Sequence, residues 1–453
     1  MTSIPTIAAI RFGYGLGRDR GPVSASGLLS GLAEGNSIAR KYPVRSTAKV
    51  LASNKKYRTE VKAAQKAGTA RPDSTSASRR ALTKAASFGL SHGTARILDT
   101  TAPFFERLNW FWADHFTAVG KNLPGRAAAP AYLDEAIRPN ITGKFSEMLR
   151  AVVTHPFMLF YLDQVQSAGP NSPAGQRRDM GLNENLAREV LELHTLGVGG
   201  DYSQDDVRQF AELLTGLSFH PERGFVFAAQ RSEPGSKMVI GKRYGGRKPD
   251  LDDIFEVLDD LAVHPVTARH LAQKLAVHFV SDKPDADLVQ HMTAAYLSSG
   301  GQLMALYSAM LEHPGAWGPL GQKAKQPFDF ITSALVALNL SGKEFLNLDR
   351  KKFRSLMVMP LAAMGQPFMQ ARGPDGWPEA AGEWITPQGL ATRIAWAVGL
   401  AGFVDKRVGD PREFLKNTLS DAAGEKLTWA VGQTETAQDG IALVFASAEF
   451  NRR

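Results

Sequence analysis

Apolar residues recur at helical spacing along most of this chain. From about residue 79 onward one amphipathic stretch follows another: 104–116, 131–137, 144–153, 183–196 and 203–214, then 251–261, 265–280, 285–298, 303–311, 328–338, 353–364 and 387–400. A 3.6-residue period of this kind predicts helices that each bury one face. Two short runs depart from it. Residues 224–228 (Gly-Phe-Val-Phe-Ala) and 237–240 (Lys-Met-Val-Ile) are apolar, rich in strand-forming side chains, and flank the turn pair Pro234-Gly235. They predict one hairpin. The expected fold class is mainly α, a multi-helix body with one small β-hairpin at about residues 224–240. Three helices end in His-Pro, at His155-Pro156, His264-Pro265 and His313-Pro314. Proline suits the first position of a helix and a preceding histidine can cap it, so these read as helix corners.

The N-terminal part has a different character. Residues 37–66 are helical in pattern, with Arg40, Lys41, Arg45, Lys49, Lys55, Lys56, Arg58, Lys62 and Lys66 against a face of Ala and Val. Residues 71–78 form a polar break, and the glycine-rich stretch 11–17 reads as a turn leading into a helix. That stretch lacks both the lysine of a phosphate loop and dinucleotide glycine spacing. Charge follows the same division. Residues 1–100 hold 17 Lys/Arg against 5 Asp/Glu, and the remainder holds 36 against 40. The expected organisation is a basic helical region, 1–100, followed by a main helical body with its hairpin insertion, 101–453.

Composition narrows the chemistry. The chain has 453 residues, 43% apolar and 22% charged, within the globular range. It contains no cysteine, which removes disulfides, thiolate nucleophiles and cysteine-ligated metals. The longest apolar or glycine run, 394–404, is far shorter than the roughly 20 residues that span a bilayer. No secretory signal is visible at the start, so a soluble cytoplasmic protein is the default expectation. A processed form would place it at the cell envelope.

The densest chemistry lies in residues 183–197, Asn-Glu-Asn-Leu-Ala-Arg-Glu-Val-Leu-Glu-Leu-His-Thr-Leu-Gly. On a regular helix Glu184, Arg188, Glu192 and Thr195 share one face, while His194 falls within the opposite apolar arc. Gly197 suits a left-handed stop. Upstream, Trp112, His115 and Phe116 lie on or near one face of an aromatic helix. Ser203 and Asp206 form an acidic capping box, and Trp377 and Trp384 lie in a Pro/Gly-rich segment.

Several of these segments closely resemble the bacterial family known as domain of unknown function 1800. They are Phe111-Trp-Ala-Asp-His-Phe116, Thr154-His-Pro, Tyr161-Leu-Asp163, the whole of 183–197 and Tyr202-Ser-Gln-Asp-Asp-Val207. Leu214-Thr-Gly216, Gly235-Ser-Lys237, Lys274-Leu275 and Gly373-Pro-Asp-Gly-Trp377 add to them in collinear order. The resemblance implies a mainly helical protein with no assigned reaction. It also implies a genomic neighbour resembling the phosphatase and sulfatase group, a candidate partner at the envelope. Three positions depart from the family pattern. Asn140 and Ser232 stand where a histidine is common, and Leu217 where a tryptophan is common. A function that needed those histidines would be weakened or lost here.

Two functional readings follow. In the first, a polar pocket around the 183–197 helix binds an anionic group or a divalent cation. Arg138, Arg188 and Trp112 would hold the ligand, and Glu184, Glu192, His194 and His115 would carry acid–base catalysis. No metal ligand set and no cofactor are assigned. In the second, the chain is a non-enzymatic interaction module whose basic arm, residues 40–80, engages an acidic protein or polyanion.

Overall fold

The computed structural model describes residues 2–17, 24–70, 76–178, 180–404 and 409–453. Helices dominate, as the pattern predicts. Those that build the site are α1 (Thr47–Lys66), α2 (Ala77–Asp99), α3 (Pro103–His115), α4 (Leu123–Tyr132), α5 (Pro156–Tyr161), α6 (Asn185–Glu189), α7 (Gln204–Leu213), α8 (Pro265–Phe279) and α9 (Pro327–Ala337). Helix α6 runs directly into a π-helical turn, Val190–Thr195. No described helix is long and apolar enough to cross a membrane.

Local chemistry sets the helix ends. The Ser203 hydroxyl accepts from Asp206 N–H at 3.1 Å, and the Asp206 carboxylate accepts from Ser203 N–H at 2.8 Å. Each His-Pro corner works alike. Nδ1 of His155, His264 and His313 accepts the backbone N–H two residues on, at 3.1, 3.3 and 3.1 Å. These imidazoles supply the acceptor that a helix start leaves open. The 37–66 stretch is divided at Tyr42-Pro43, where proline ends the short Ile38–Lys41 helix before α1 begins. The expected break at 71–78 falls partly on residues 71–75, which lie outside the described residues; Ser76 then caps α2. Arg11 and Phe12 end a helical segment (Ile4–Ile7, then Ala8–Phe12) that the turn 13–17 follows rather than precedes, and residues 18–23 lie outside the described residues.

The β content is small, but its pairing differs from the single hairpin expected. Strand β1 (Leu217–His220) pairs with β2 (Gly224–Phe227), and β3 (Lys237–Val239) pairs with β4 (Lys242–Tyr244), both antiparallel. The two expected strands exist, yet each pairs with another neighbour. Ile240 and Gly241 both have positive φ, 49° and 72°. That is the two-residue turn of a tight hairpin, disguised because isoleucine reads as more strand.

Two apolar cores organise the body. One gathers Phe104, Trp112, Phe145, Phe210, Phe279 and Tyr307; the other gathers Phe330, Leu335, Trp396, Phe445 and Phe450. Trp110 packs against both. Beneath it the Asp329 carboxylate on α9 takes Arg107 of α3 at 2.7 Å and Arg453 at 2.6 Å. Helix α1 lies on α2 and α4 through Val50, Leu82, Ala85 and Ala127.

Candidate functional site

The C-terminal turn of α3 carries Asp114 and His115, and four other elements converge on it. The loop at 373–379 crosses Asp114, whose carboxylate accepts from Trp377 N–H at 3.0 and 3.3 Å. Gly376, at φ +85°, lies so close that a Cβ there would sit 2.8 Å from the carboxylate. Only glycine combines that backbone with that contact. His115 Nε2 lies 3.2 Å from the carbonyl of His194, and His270 of α8 lies 3.2 Å from the carbonyl of Leu193. A carbonyl only accepts, so both rings carry the proton on Nε2 and present a bare Nδ1. The buried Nδ1 atoms of His115 and His194 have no hydrogen-bond partner. The His115 ring centre lies 6.0 Å from that of His194 and 6.3 Å from that of His270.

Burial and a central lysine set the charge states. Lys274, one turn beyond His270 on α8, interacts with all three imidazoles and with Asp114, Glu379 and Asp375. Burial draws its ammonium down from the usual lysine range. Burial and Lys274 lower His194 to about 3 and His270 to about 4, and hold His115 well below its ordinary value. The three rings are therefore neutral at pH 7. Carboxylates move the other way. Burial, with Glu379 and Asp375 nearby, pushes Asp114 up to about 7. Burial, with Glu192 and Asp375, pushes Glu189 up to about 7. Glu379 differs. Burial opposes its charge, but His278 at 2.6 Å and Lys323 at 3.1 Å draw it down to about 2.

This cluster borders a cavity of about 80 Å³, walled by Asp114, His278, Arg107, Trp377 and Phe368. Among the described residues no group of three or more His, Asp or Glu side chains is placed to hold a metal ion. The cluster offers two carboxyls poised near neutrality, one buried amine and neutral imidazoles. That inventory suits proton exchange.

A family model described as protein of unknown function (DUF1800) matches residues 10–452. The chain belongs to that family. No curated protein and no solved structure matches it. Four segments that carry the family resemblance, 111–116, 183–197, 274–275 and 373–377, all contribute residues to the cluster.

The seven candidate residues named from sequence separate in space. His115 and His194 meet in the cluster, and Glu192 acts on Glu189 beside it. Glu184, Arg188 and Glu192 form the expected ladder, each carboxylate 3.2 Å from the guanidinium, half-buried and joined by Gln204. Arg188 thereby has its charge answered within its own helix. Arg138 lies in the core, 2.5 and 3.1 Å from the Glu106 carboxylate, with further bonds to Asn36 and to Gly35 O. Trp112 is fully buried and donates to the Tyr307 hydroxyl at 2.7 Å. The three departures from the family pattern are engaged elsewhere. Asn140 donates to Ala136 O, Ser232 to Thr215 O, and Leu217 is buried in the first core.

Asp114, Glu189, His270, Lys274, Asp375 and Glu379 were not among the site residues expected from the sequence, although four of them lie in the segments that carry the family resemblance. Their signal was faint. Asp114 sits beside His115 in an aromatic run, and Glu189 lies one position past Arg188, on a different helical face. Only tertiary packing shows that both come within reach of Asp375, and Asp114 within reach of Lys274.

Proposed function

We propose that the family cluster is an acid–base site, with Asp114 and Glu189 as the proton-exchanging carboxyls and Lys274 as the buried charge beside Asp114. The observation that carries this reading is geometric. A carboxylate fixed by the Trp377 amide and pressed by Gly376 opens on a cavity next to a buried lysine. A carboxyl held near neutrality can accept and return a proton at pH 7, and its fixed position spares reorganisation.

The ligand class follows from charge. Arg188 and Arg138, the anion binders expected from sequence, are neutralised by Glu184, Glu192 and Glu106. Glu379 is answered by His278 and Lys323. Asp375, which is exposed and acts on both Asp114 and Glu189, leaves that side of the cluster negative. The reacting part of the ligand is therefore a neutral, hydroxyl-rich or amine-bearing group rather than a phosphate or sulfate.

Carbon-13 NMR of side-chain carboxyls tests this across a pH titration. Two resonances are expected to titrate near pH 7. One disappears in Asp114→Asn and the other in Glu189→Gln. A spectrum in which every carboxyl titrates below about pH 5, the ordinary range, would remove the proposal.

A further inference from the structure

The cavity that Asp114 borders is also lined by His278, in the last turn of α8. Each of its ring nitrogens has one neighbour. Nδ1 lies 2.6 Å from the Glu379 carboxylate, which Lys323 also meets at 3.1 Å. A carboxylate only accepts, so the ring proton sits on Nδ1. Nε2 lies 3.4 Å from a terminal nitrogen of Arg107. A guanidinium only donates, so it meets a bare lone pair. The two contacts agree on one tautomer, and both neighbours are themselves fixed. Arg107 is tied to Asp329 at 2.7 Å, and the Lys323 ammonium reaches Glu379 O and Asp282 at 2.6 Å each. A carboxylate that holds one imidazole nitrogen leaves the other oriented as a proton acceptor.

Nε2 is the nitrogen on the cavity side. Its neighbour Arg107 lines the cavity as His278 does, whereas Glu379, beside Nδ1, does not. The contact with Arg107 is long for a hydrogen bond, so a closer donor can take the lone pair. His115 and His194 are buried and do not line this cavity. Asp114 and His278 are also fastened by one short run of the crossing loop. Trp377 N–H holds Asp114 and the Glu379 carboxylate holds His278, two residues and at most about 7 Å of backbone apart.

We infer that His278 is a further proton-exchanging group of this cavity, a base acting through Nε2, with Glu379 as its positioning residue. A hydroxyl of a neutral ligand gives its proton to Nε2. The O–H bond breaks, its electron pair stays on oxygen, and the imidazolium is held by Glu379. Asp114 in its acid form returns a proton to another atom of the same ligand, and water carries the proton from His278 back to Asp114. The net change is relocation of one proton within the ligand, with no co-reactant. The Asp114 half of this exchange rests on the acid–base reading; the His278 half is tested by itself.

The test is nitrogen-15 NMR of the full chain with labelled histidine at pH 7, where protonated and bare ring nitrogens give separate resonances. His278→Gln assigns the ring by the pair that disappears. His278 is expected to carry its proton on Nδ1 alone. Glu379→Gln is expected to add the opposite tautomer, because the amide can turn its NH2 toward Nδ1. Ethylene glycol, a neutral hydroxyl probe, is expected to shift the Nε2 resonance of His278 and to leave those of His115 and His194 in place. A wild-type proton on Nε2, an Nε2 resonance that moves no more than those of His115, or a single unchanged tautomer in folded Glu379→Gln would each overturn the assignment. The first two results need no change at Glu379, so they decide the matter even if that variant does not fold. If His278 fails while carboxyls still titrate near pH 7, the Asp114 reading stands without this base. If His278 behaves as expected but no carboxyl titrates there, the base stands and the Asp114 reading falls.

Discussion

Arg138 and Glu106 are each 1% exposed and only 2.5 Å apart, closed off from water on every side. Removing one partner leaves the other charge buried and unanswered. Arg138→Ala is expected to cost about 3–5 kcal/mol of stability by urea unfolding. Arg188, though flanked by two glutamates, keeps a third of its side chain in water. Arg188→Ala is expected to cost less than about 1 kcal/mol, as exposed ion pairs do. Equal costs would contradict this assignment of one arginine to the core and the other to the surface. His194 adds a pH dependence. Burial lowers it from 6.5 to about 3, so between those values the unfolded chain binds a proton that the folded chain refuses. Its contribution to stability is therefore lost as pH falls through that window. His194→Phe is expected to show a shallower loss of stability than the wild type between pH 6.5 and 5. Parallel curves would contradict a neutral buried ring.

At the scale of elements, the π-helical turn Val190–Thr195 explains the one residue a helical wheel misplaced. An α-helical period sets Thr195 on the face of Glu184, Arg188 and Glu192, yet its side chain is buried. The widened turn, closed by Thr195 Oγ1 on Val190 O at 2.6 Å, rotates everything after Val190. Periodicity read from sequence has no means of seeing one extra residue per turn. The hairpins hid for a related reason, since Ile240 looks like a strand residue while acting as a turn residue. By contrast, the capping box at Ser203, the His-Pro corners and the left-handed Gly197 depend on local chemistry and were legible. The 373–379 loop sets its own test. Gly376→Ala would place a methyl against the Asp114 carboxylate in a backbone region that costs about 1–3 kcal/mol. It is expected to lower the melting temperature and to broaden or shift the Asp114 resonance. An unchanged resonance would mean that the loop does not hold the carboxyl.

At the scale of the molecule, the site exists only because distant segments meet. Asp114 comes from α3, Glu189 from α6, Lys274 from α8, and Asp375 and Glu379 from a loop some hundred residues later. The sequence showed the individual motifs, the helical class and the family, because each is written in local pattern. It did not show that His115 and His194 lie near one another while Arg138 and Trp112 turn into the core. That depends on which face each helix buries. The positive charge of residues 1–100 also gains a location. Part of it, on α1, lines a groove whose other walls are the 119–124 loop and α5. The central claim is that Asp114 and Lys274 belong to one electrostatically coupled site. The most direct measurement is the midpoint of the Asp114 carboxyl resonance in the wild type and in Lys274→Met. The wild type is expected to titrate near pH 7. Losing the ammonium that favours the carboxylate should move that midpoint upward by about one unit, the scale of a nearby buried charge. A midpoint that stays in place, or lies near 4 in both proteins, would contradict the account.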